Sequence, residues 1–251
     1  MEPEQYEVMF RREDRHWWYS GMRLVALDVL RGALNGQRPA HILDAGCGTG
    51  GTTIRLAEFG AAVFGVDLAW EALDLAATRN LHGTLARASI EALPFRSASF
   101  DLVTSFEVVY HAGVANDHHC FEEFRRVLRP DGLLLLRLPG HDWLRGHHDQ
   151  LVHTRHRYSR AEVGRKLKAA GFRLELLSWA NSVLFPPAIA KRLLESLQPP
   201  ERDAAAEPDL WQPPAALNWL LERCIALEGP ALRRGLRLPF GLSVIALARA
   251  A

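Results

Sequence analysis

The stretch Ile42-Leu43-Asp44-Ala45-Gly46-Cys47-Gly48-Thr49-Gly50-Gly51 places four glycines within ten residues, directly behind an apolar run. Glycine reaches positive φ without a Cβ penalty, and its missing side chain lets a ligand lie against the backbone. A helix opening after such a turn presents free N–H groups that suit a phosphate or a carboxylate. The next apolar run, residues 61–66, ends at Asp67, which stands 17 residues past Gly50. A doubly wound fold puts there the carboxylate that accepts both hydroxyls of a ribose. A tight strand-to-helix turn would explain the glycines alone; with Asp67 added, they point to an adenosine-type cofactor. Spacing leaves that cofactor open, because Gly46, Gly48 and Gly51 also satisfy the G-x-G-x-x-G of a nicotinamide-dependent oxidoreductase.

Histidine is the second chemical signal. Eight of the 11 histidines fall between positions 111 and 156: His111, His118, His119, His141, His147, His148, His153 and His156. This span covers the loops that follow the fourth and fifth strand candidates, on the ligand-binding edge of a parallel sheet. His111 reads as a general base or as packing for a cofactor, and otherwise as a histidine bonded to its own loop. His148-Asp149 with His153 and Arg157-Tyr158 is a sharper constellation: a carboxylate orients an imidazole and raises its basicity, while Arg157 and Tyr158 hold a polar substrate. His147, His148, Asp149 and His153 match no zinc spacing, so no metal is expected. His118 and His119 read as a solvated helix face. The tract Arg155-His156-Arg157 with Arg160, Arg165, Lys166 and Lys168 would guide an anionic substrate, or form the wet side of a helix.

These residues need a frame to hold them. The chain has 251 residues, 48% hydrophobic and 24% charged, which excludes disordered and fibrous classes. Thirty Lys+Arg against 29 Asp+Glu give a net charge of +1, so no overall field draws the chain to nucleic acid. Three scattered cysteines without a C-x-x-C argue against a disulfide scaffold or structural zinc, and fit a reducing cytoplasm. Residues 1–20 lack the apolar core of a secretory signal, and no run is long enough to span a bilayer. The expectation is a cytoplasmic chain, soluble or at most peripheral, monomeric or homodimeric.

Apolar spacing predicts a helix over 22–33 ended by Asn35-Gly36, a strand at 40–44, a helix to Gly60, a strand at 61–66 and a helix over 70–80. A weak strand follows near 84–88, a strong one at 100–106, a helix over 116–128, a turn at 129–132 and a buried strand at 133–138. Ser159 caps a helix that stops at Gly171, and strands at 172–179 and 241–248 complete the set. Strand–helix alternation means a parallel sheet covered on both faces. Residues 182–236, with helical pieces near 186–197 and 214–228, read as an insertion. One domain results: a cap (1–38), a Rossmann-like core (39–181 and 237–251) and a helical insertion or lid (182–236).

At this point the chain resembles the class I S-adenosylmethionine-dependent methyltransferases. Leu43-Asp44-Ala45-Gly46-Cys47-Gly48-Thr49-Gly50 looks like their first motif and Val66-Asp67 like their second. Leu93-Pro94-Phe95, Ser99-Phe100-Asp101-Leu102-Val103, Leu128-Arg129-Pro130-Asp131-Gly132 and Ala170-Gly171-Phe172 follow in the family's order. The resemblance implies seven strands, the last antiparallel, with S-adenosylmethionine as methyl donor and S-adenosylhomocysteine as product. It implies cofactor contacts from Asp44, Gly46, Cys47, Gly48, Asp67, Leu68, Ser105 and Phe106. Ser89-Ile90 stand where the family often has an acid for the adenine. It also makes 106–111 the lining of the methyl-transfer site, with Tyr110 and Trp18 facing the substrate. Tyr19 and Arg23 would take the methionine carboxylate, unless Trp17-Trp18-Tyr19 merely staples the first helix. Arg15-His16-Trp17-Trp18-Tyr19, Phe185-Pro186-Pro187 and 238–243 are similar to a bacterial subgroup tied to surface-glycan, lipid or secondary-metabolite pathways. The acceptor implied is a small or lipid-linked molecule, with an anionic one among the options. A nicotinamide oxidoreductase and a non-catalytic methyltransferase-like binding protein are the alternatives.

Overall fold

The computed structural model describes residues 3–81, 84–146, 149–150, 152–197 and 212–251. Seven strands build one sheet: β1 His41–Ala45, β2 Ala62–Asp67, β3 Leu85–Arg87, β4 Phe100–Phe106, β5 Leu128–Pro139, β6 Phe172–Ala180 and β7 Ser243–Ala250. Their order is β3-β2-β1-β4-β5-β7-β6. The first five pair in parallel, and β7 enters antiparallel between β5 and β6. This is the expected seven-stranded Rossmann-like sheet. The order reverses between β1 and β4, so their carboxyl ends bound the crevice where such sheets bind ligands.

Burial on both faces explains the long apolar runs. On β5, Leu134, Leu136 and Leu138 enter one core with Phe121 and Phe124, while Leu133 and Leu135 enter the other with Met22, Val25 and Leu30. Helices α1 (Pro3–Arg12) and α2 (Trp17–Leu34) precede the sheet; α3 (Thr53–Leu56) and α4 (Trp70–Ala77) follow β1 and β2. Helices α5 (Asp117–Val127) and α6 (Arg160–Ala169) cover the face opposite α2. Helices α7 (Phe185–Leu197), α8 (Ala215–Ala226) and α9 (Glu228–Arg233) precede β7.

Three boundaries differ from expectation for physical reasons. Helix α2 begins at Trp17, five residues early, because the His16 side chain caps it, its Nδ1 accepting the Trp18 N–H at 3.3 Å. It ends as foreseen at Asn35, which sits at φ 45°. Residues 129–132 lie within β5 as a bulge: the register passes from Phe100↔Leu128 to Leu102↔Leu133, with Asp131 at φ 60°. The insertion carries α9 besides the two foreseen helices, and its second half packs on α2. Ile225 lies against the bare Cα of Gly21, and Asn218 accepts the Trp17 N–H while donating to the Arg15 carbonyl. The Glu228 carboxylate accepts the N–H groups of Asn181 and Ser182 at 2.7 and 2.6 Å, fixing the chain where it leaves β6.

Candidate active site

The glycine turn leaves β1 through Gly46 (φ 85°), Gly48 (φ 52°) and Gly50 (φ 82°), a path that L side chains rarely follow. The Val66 carbonyl accepts both the Gly46 and Cys47 N–H groups, at 2.8 and 2.9 Å. Asp67 completes the turn: one oxygen accepts the Gly48 N–H at 2.9 Å and the other accepts the Ala69 N–H at 3.0 Å. A carboxylate has about four lone-pair sites, so each oxygen keeps capacity for a further donor. Sequence separation has thus become direct contact between the acid and the turn.

The bare Cα atoms face this chain's own side chains. A Cβ on Gly46 would strike Val108, one on Gly48 would lie 3.1 Å from Met9 Cε, and one on Gly51 would strike Glu13. Gly46 is therefore required by the packing of the loop after β4, a need that its reading as clearance for a cofactor did not include. Helix α1 sits over the turn. Tyr6 feels Asp67 and Glu71, and its phenol is pushed up to about 12, chiefly by burial.

Glu13, buried just after α1, is the residue that holds this roof and that the sequence reading missed. It accepts from the Thr49 hydroxyl and pairs with Arg79 at 2.8 Å; burial is the main influence raising its carboxyl. Arg23 spends one nitrogen on the Gly51 carbonyl and another on the Glu13 carbonyl, each at 2.6 Å. Its expected place at a cofactor carboxylate is corrected accordingly: it ties the segment after α1 to the turn. Tyr19 lies beside Glu13 and packs edge-on against Trp18 at 5.0 Å.

Other expected cofactor residues sort by which atoms they leave available. Asp44 is buried, accepting from Thr53 at 2.7 Å and Thr104 at 2.9 Å; burial raises its carboxyl to about 6. The Cys47 side chain turns inward against Gly65, and burial pushes its thiol up, which leaves its backbone on the turn. Leu68 is exposed, with its carbonyl taken by Arg87. The Ser89 hydroxyl accepts the Glu91 N–H at 3.1 Å, and Ile90 is buried. Ser105 is fully buried and donates to the Ala45 carbonyl at 2.9 Å, while Phe106 packs beneath α2. The side chains of Ser105 and Phe106 are thus engaged within the protein, which leaves their backbone at the carboxyl end of β4.

The loop after β4 opens on Glu107, a non-glycine residue at φ 57°. Such conformations persist where surroundings enforce them, often at functional sites. Its Oε1 accepts from Arg137 Nε at 2.9 Å. Arg137 lies under the Trp18 and Phe106 rings, 5.7 and 5.1 Å from their centroids, and also donates to the Met22 carbonyl. Trp18 is thereby a partner of Arg137 in the α2-side core. The signal for Glu107 was available: Arg137, alone in the apolar run of β5, had to find a counter-charge. Tyr110 is buried nearby, and its phenol is held neutral by burial and by Glu107.

His111 accepts the Gly113 N–H at Nδ1, 3.0 Å away, and burial lowers its pKa to about 4. A neutral ring accepting at Nδ1 carries its proton on Nε2, so neither nitrogen is placed to take a proton. The general-base reading of His111 is corrected on that ground. His153 faces it, with ring centroids 5.8 Å apart. His147 and His148 lie outside the described residues. Asp149 is buried and clamped by Arg157 through two bonds of 2.7 and 3.1 Å. Asp149 and Arg157 thus satisfy each other, which turns Arg157 away from the substrate role expected of it, and the His148 imidazole that Asp149 was expected to orient lies outside the described residues. Tyr158 is fully buried and donates to Asp117, which also holds Lys166, so its substrate role is corrected too. The other histidines disperse: His118 pairs with Glu122, His141 stacks on Trp179 at 4.1 Å, and His156 meets Glu162. Among the described residues no cluster suited to a metal occurs.

Comparison with known proteins agrees with this geometry. Residues 43–136 match the family described as methyltransferase domain. A malonyl-[acyl-carrier protein] O-methyltransferase of Geobacter sulfurreducens is 36% identical over 159 residues, covering 55% of this chain and 57% of that protein. A ubiquinone biosynthesis O-methyltransferase of Bartonella tribocorum is 34% identical over 106 residues, covering 41% and 42%. The chain spans about half the length of the curated relatives it matches. In fold, a chain of the complex between the Haloferax volcanii Trm112 methyltransferase activator and a methyltransferase superposes with TM-score 0.62. It covers 98% of this chain and 94% of its own length, at 19% identity. These relatives do not favour the oxidoreductase alternative. No helix among the described residues is long and apolar enough to cross a membrane. The middle of the chain thus matches a methyltransferase domain, carried on the Rossmann-like sheet seen in methyltransferase structures.

Proposed function

We propose that this protein is an S-adenosylmethionine-dependent methyltransferase acting on a small or lipid-linked acceptor that carries negative charge. The observation that carries the reading is Asp67, locked onto the glycine turn through Gly48 and still able to accept two more donors. The residues present fit the cofactor: a turn that follows positive φ through Gly46 and Gly48, and an acid for the ribose at Asp67. When bound, the cofactor supplies an electrophilic sulfonium methyl with a good leaving group, so the protein's work is alignment and exclusion of water. Asp67 would hold the ribose hydroxyls, Tyr110 would donate a hydrogen bond as a neutral phenol, and α1 would shield the crevice from solvent.

An already ionised carboxylate acceptor needs no general base. That agrees with a His111 whose nitrogens are not placed to accept a proton. It also accords with relatives named for methylating a malonyl-carrier protein. The narrower subgroup resemblance of Arg15–Tyr19, a cytoplasmic location and a monomeric or homodimeric state without nucleic acid belong to the same reading. So does the division into cap, core and lid.

Calorimetry with S-adenosylhomocysteine tests it. The wild type should bind, and Asp67→Ala should weaken binding by about 1–3 kcal/mol, the cost of leaving hydroxyls without an acceptor. Absence of binding, or equal binding by the variant, overturns the reading.

A further inference from the structure

A cavity of about 380 Å³ opens between the loop after β5 and helix α7, lined by Arg145, Gly146, Gln150 and Arg192. Strands β5 and β6 both pair antiparallel with β7, so their carboxyl ends share one edge of the sheet with the glycine turn. The cavity therefore lies on the ligand edge of the sheet. Two of its four lining residues are arginines, and among the described residues its lining contains no carboxylate.

The Arg145 fork is incompletely used. One nitrogen serves both Asp142, at 3.2 Å, and the Arg155 carbonyl, at 2.5 Å, while the buried Nε has no acceptor among the described residues. Buried donors are nearly always satisfied in native proteins, so present partners do not exhaust this guanidinium. Asp142 is more than half exposed and offers only partial compensation. Nearby Arg157 is different: its charge is fully engaged by Asp149. Exposed apolar side chains lie close in sequence to both arginines. Trp143 is two residues from Arg145, Leu193 and Leu194 follow Arg192, and all three are more than half exposed.

We propose that this cavity is a subsite for the phosphate group of an amphiphilic molecule, its oxyanion held between the Arg145 and Arg192 guanidiniums and its apolar part against Trp143 and α7. Planar guanidiniums match the geometry of phosphate oxygens and bind them as paired donors. As a site for phosphate it stands independently; as the anchor of the methyl acceptor it rests on the methyltransferase reading. A phosphate on a membrane lipid and one on a soluble ester share this chemistry.

The test titrates inorganic phosphate into wild type, Arg145→Gln and Arg192→Gln by calorimetry. The same proteins are sedimented with vesicles of phosphatidylcholine containing phosphatidic acid, against phosphatidylcholine alone. Each variant should weaken phosphate binding at least tenfold. Sedimentation lost in both variants assigns the phosphate to a lipid headgroup, and calorimetric binding without sedimentation assigns it to a soluble ester. Phosphate binding absent from the wild type, or equal in wild type and Arg192→Gln, overturns the proposal. Arg192→Gln decides should Arg145→Gln fail to fold, since Arg145 braces the Arg155 loop. S-adenosylhomocysteine binding in the same samples separates the readings, for its absence strikes the methyltransferase assignment and leaves the phosphate result standing.

Discussion

The two sides of the crevice are built on opposite plans. On the glycine-turn side, main-chain N–H groups do the positioning: Gly46 donates to the Val66 carbonyl, and Gly48 to the Asp67 carboxylate. On the side formed by the loops after β4 and β5, polar side chains do it, and they mostly satisfy one another: Asp149 with Arg157, Tyr158 with Asp117, Glu107 with Arg137. The first side leaves acceptor capacity open. The second spends most of its charge internally, which teaches that a cluster of polar residues in long loops answers first to its own burial.

The sharpest way to break that contrast is Arg157→Leu. It strands the buried Asp149 carboxylate, and removing one partner of a buried pair costs about 3–5 kcal/mol. Urea unfolding should show that loss, whereas an unchanged midpoint would return Arg157 to a ligand-binding role. Gly46→Ala comes next, with a loss of about 3 kcal/mol from overpacking against Val108 and from positive φ. Pairing it with Val108→Ala should recover part of the loss, because the clash is removed and the φ penalty stays. Tyr158→Phe should cost about 1 kcal/mol, the price of one hydrogen bond to Asp117.

Acid distinguishes the two sides by sign, because His111 and Asp44 respond to it in opposite directions. His111 is lowered from 6.5 to about 4, so in that window the unfolded chain binds a proton the folded chain refuses, and stability falls as pH falls. Asp44 is raised from 3.8 to about 6, so the folded chain binds its proton first and stability grows as pH falls through that range. His111→Asn should flatten the acid-side decline of the unfolding midpoint, and Asp44→Asn should steepen it. Identical profiles for both variants and wild type would refute the assignment.

What could be read from the residues alone follows the same division. The parallel sheet and the glycine turn with Asp67 at the end of the next strand were legible, because strand patterning and glycine conformational demand act over a few neighbouring residues; the antiparallel last strand was implied by the family resemblance. The role of Gly46 was half legible: positive φ was foreseen, but contact with Val108 depends on a loop 62 positions away. Arg157 and Tyr158 misled because sequence displays a polar side chain without its partner, and Asp149 and Asp117 reach them only through tertiary packing. Glu13 was hidden for another reason: one acid among the alternating charges just after α1 has no spacing that announces burial. Arg137 was the opposite case, a charge in an apolar strand that demanded a partner, and Glu107 answers it.

Ala180 and Ser243 face each other as partners on neighbouring strands. The described residues between them, 181–197 and 212–242, therefore belong to an excursion that leaves the sheet and rejoins it at a single rung. Enlarging such a loop costs little, since closure entropy grows only with the logarithm of its length. The segment can be rebuilt or exchanged with the register of all seven strands intact.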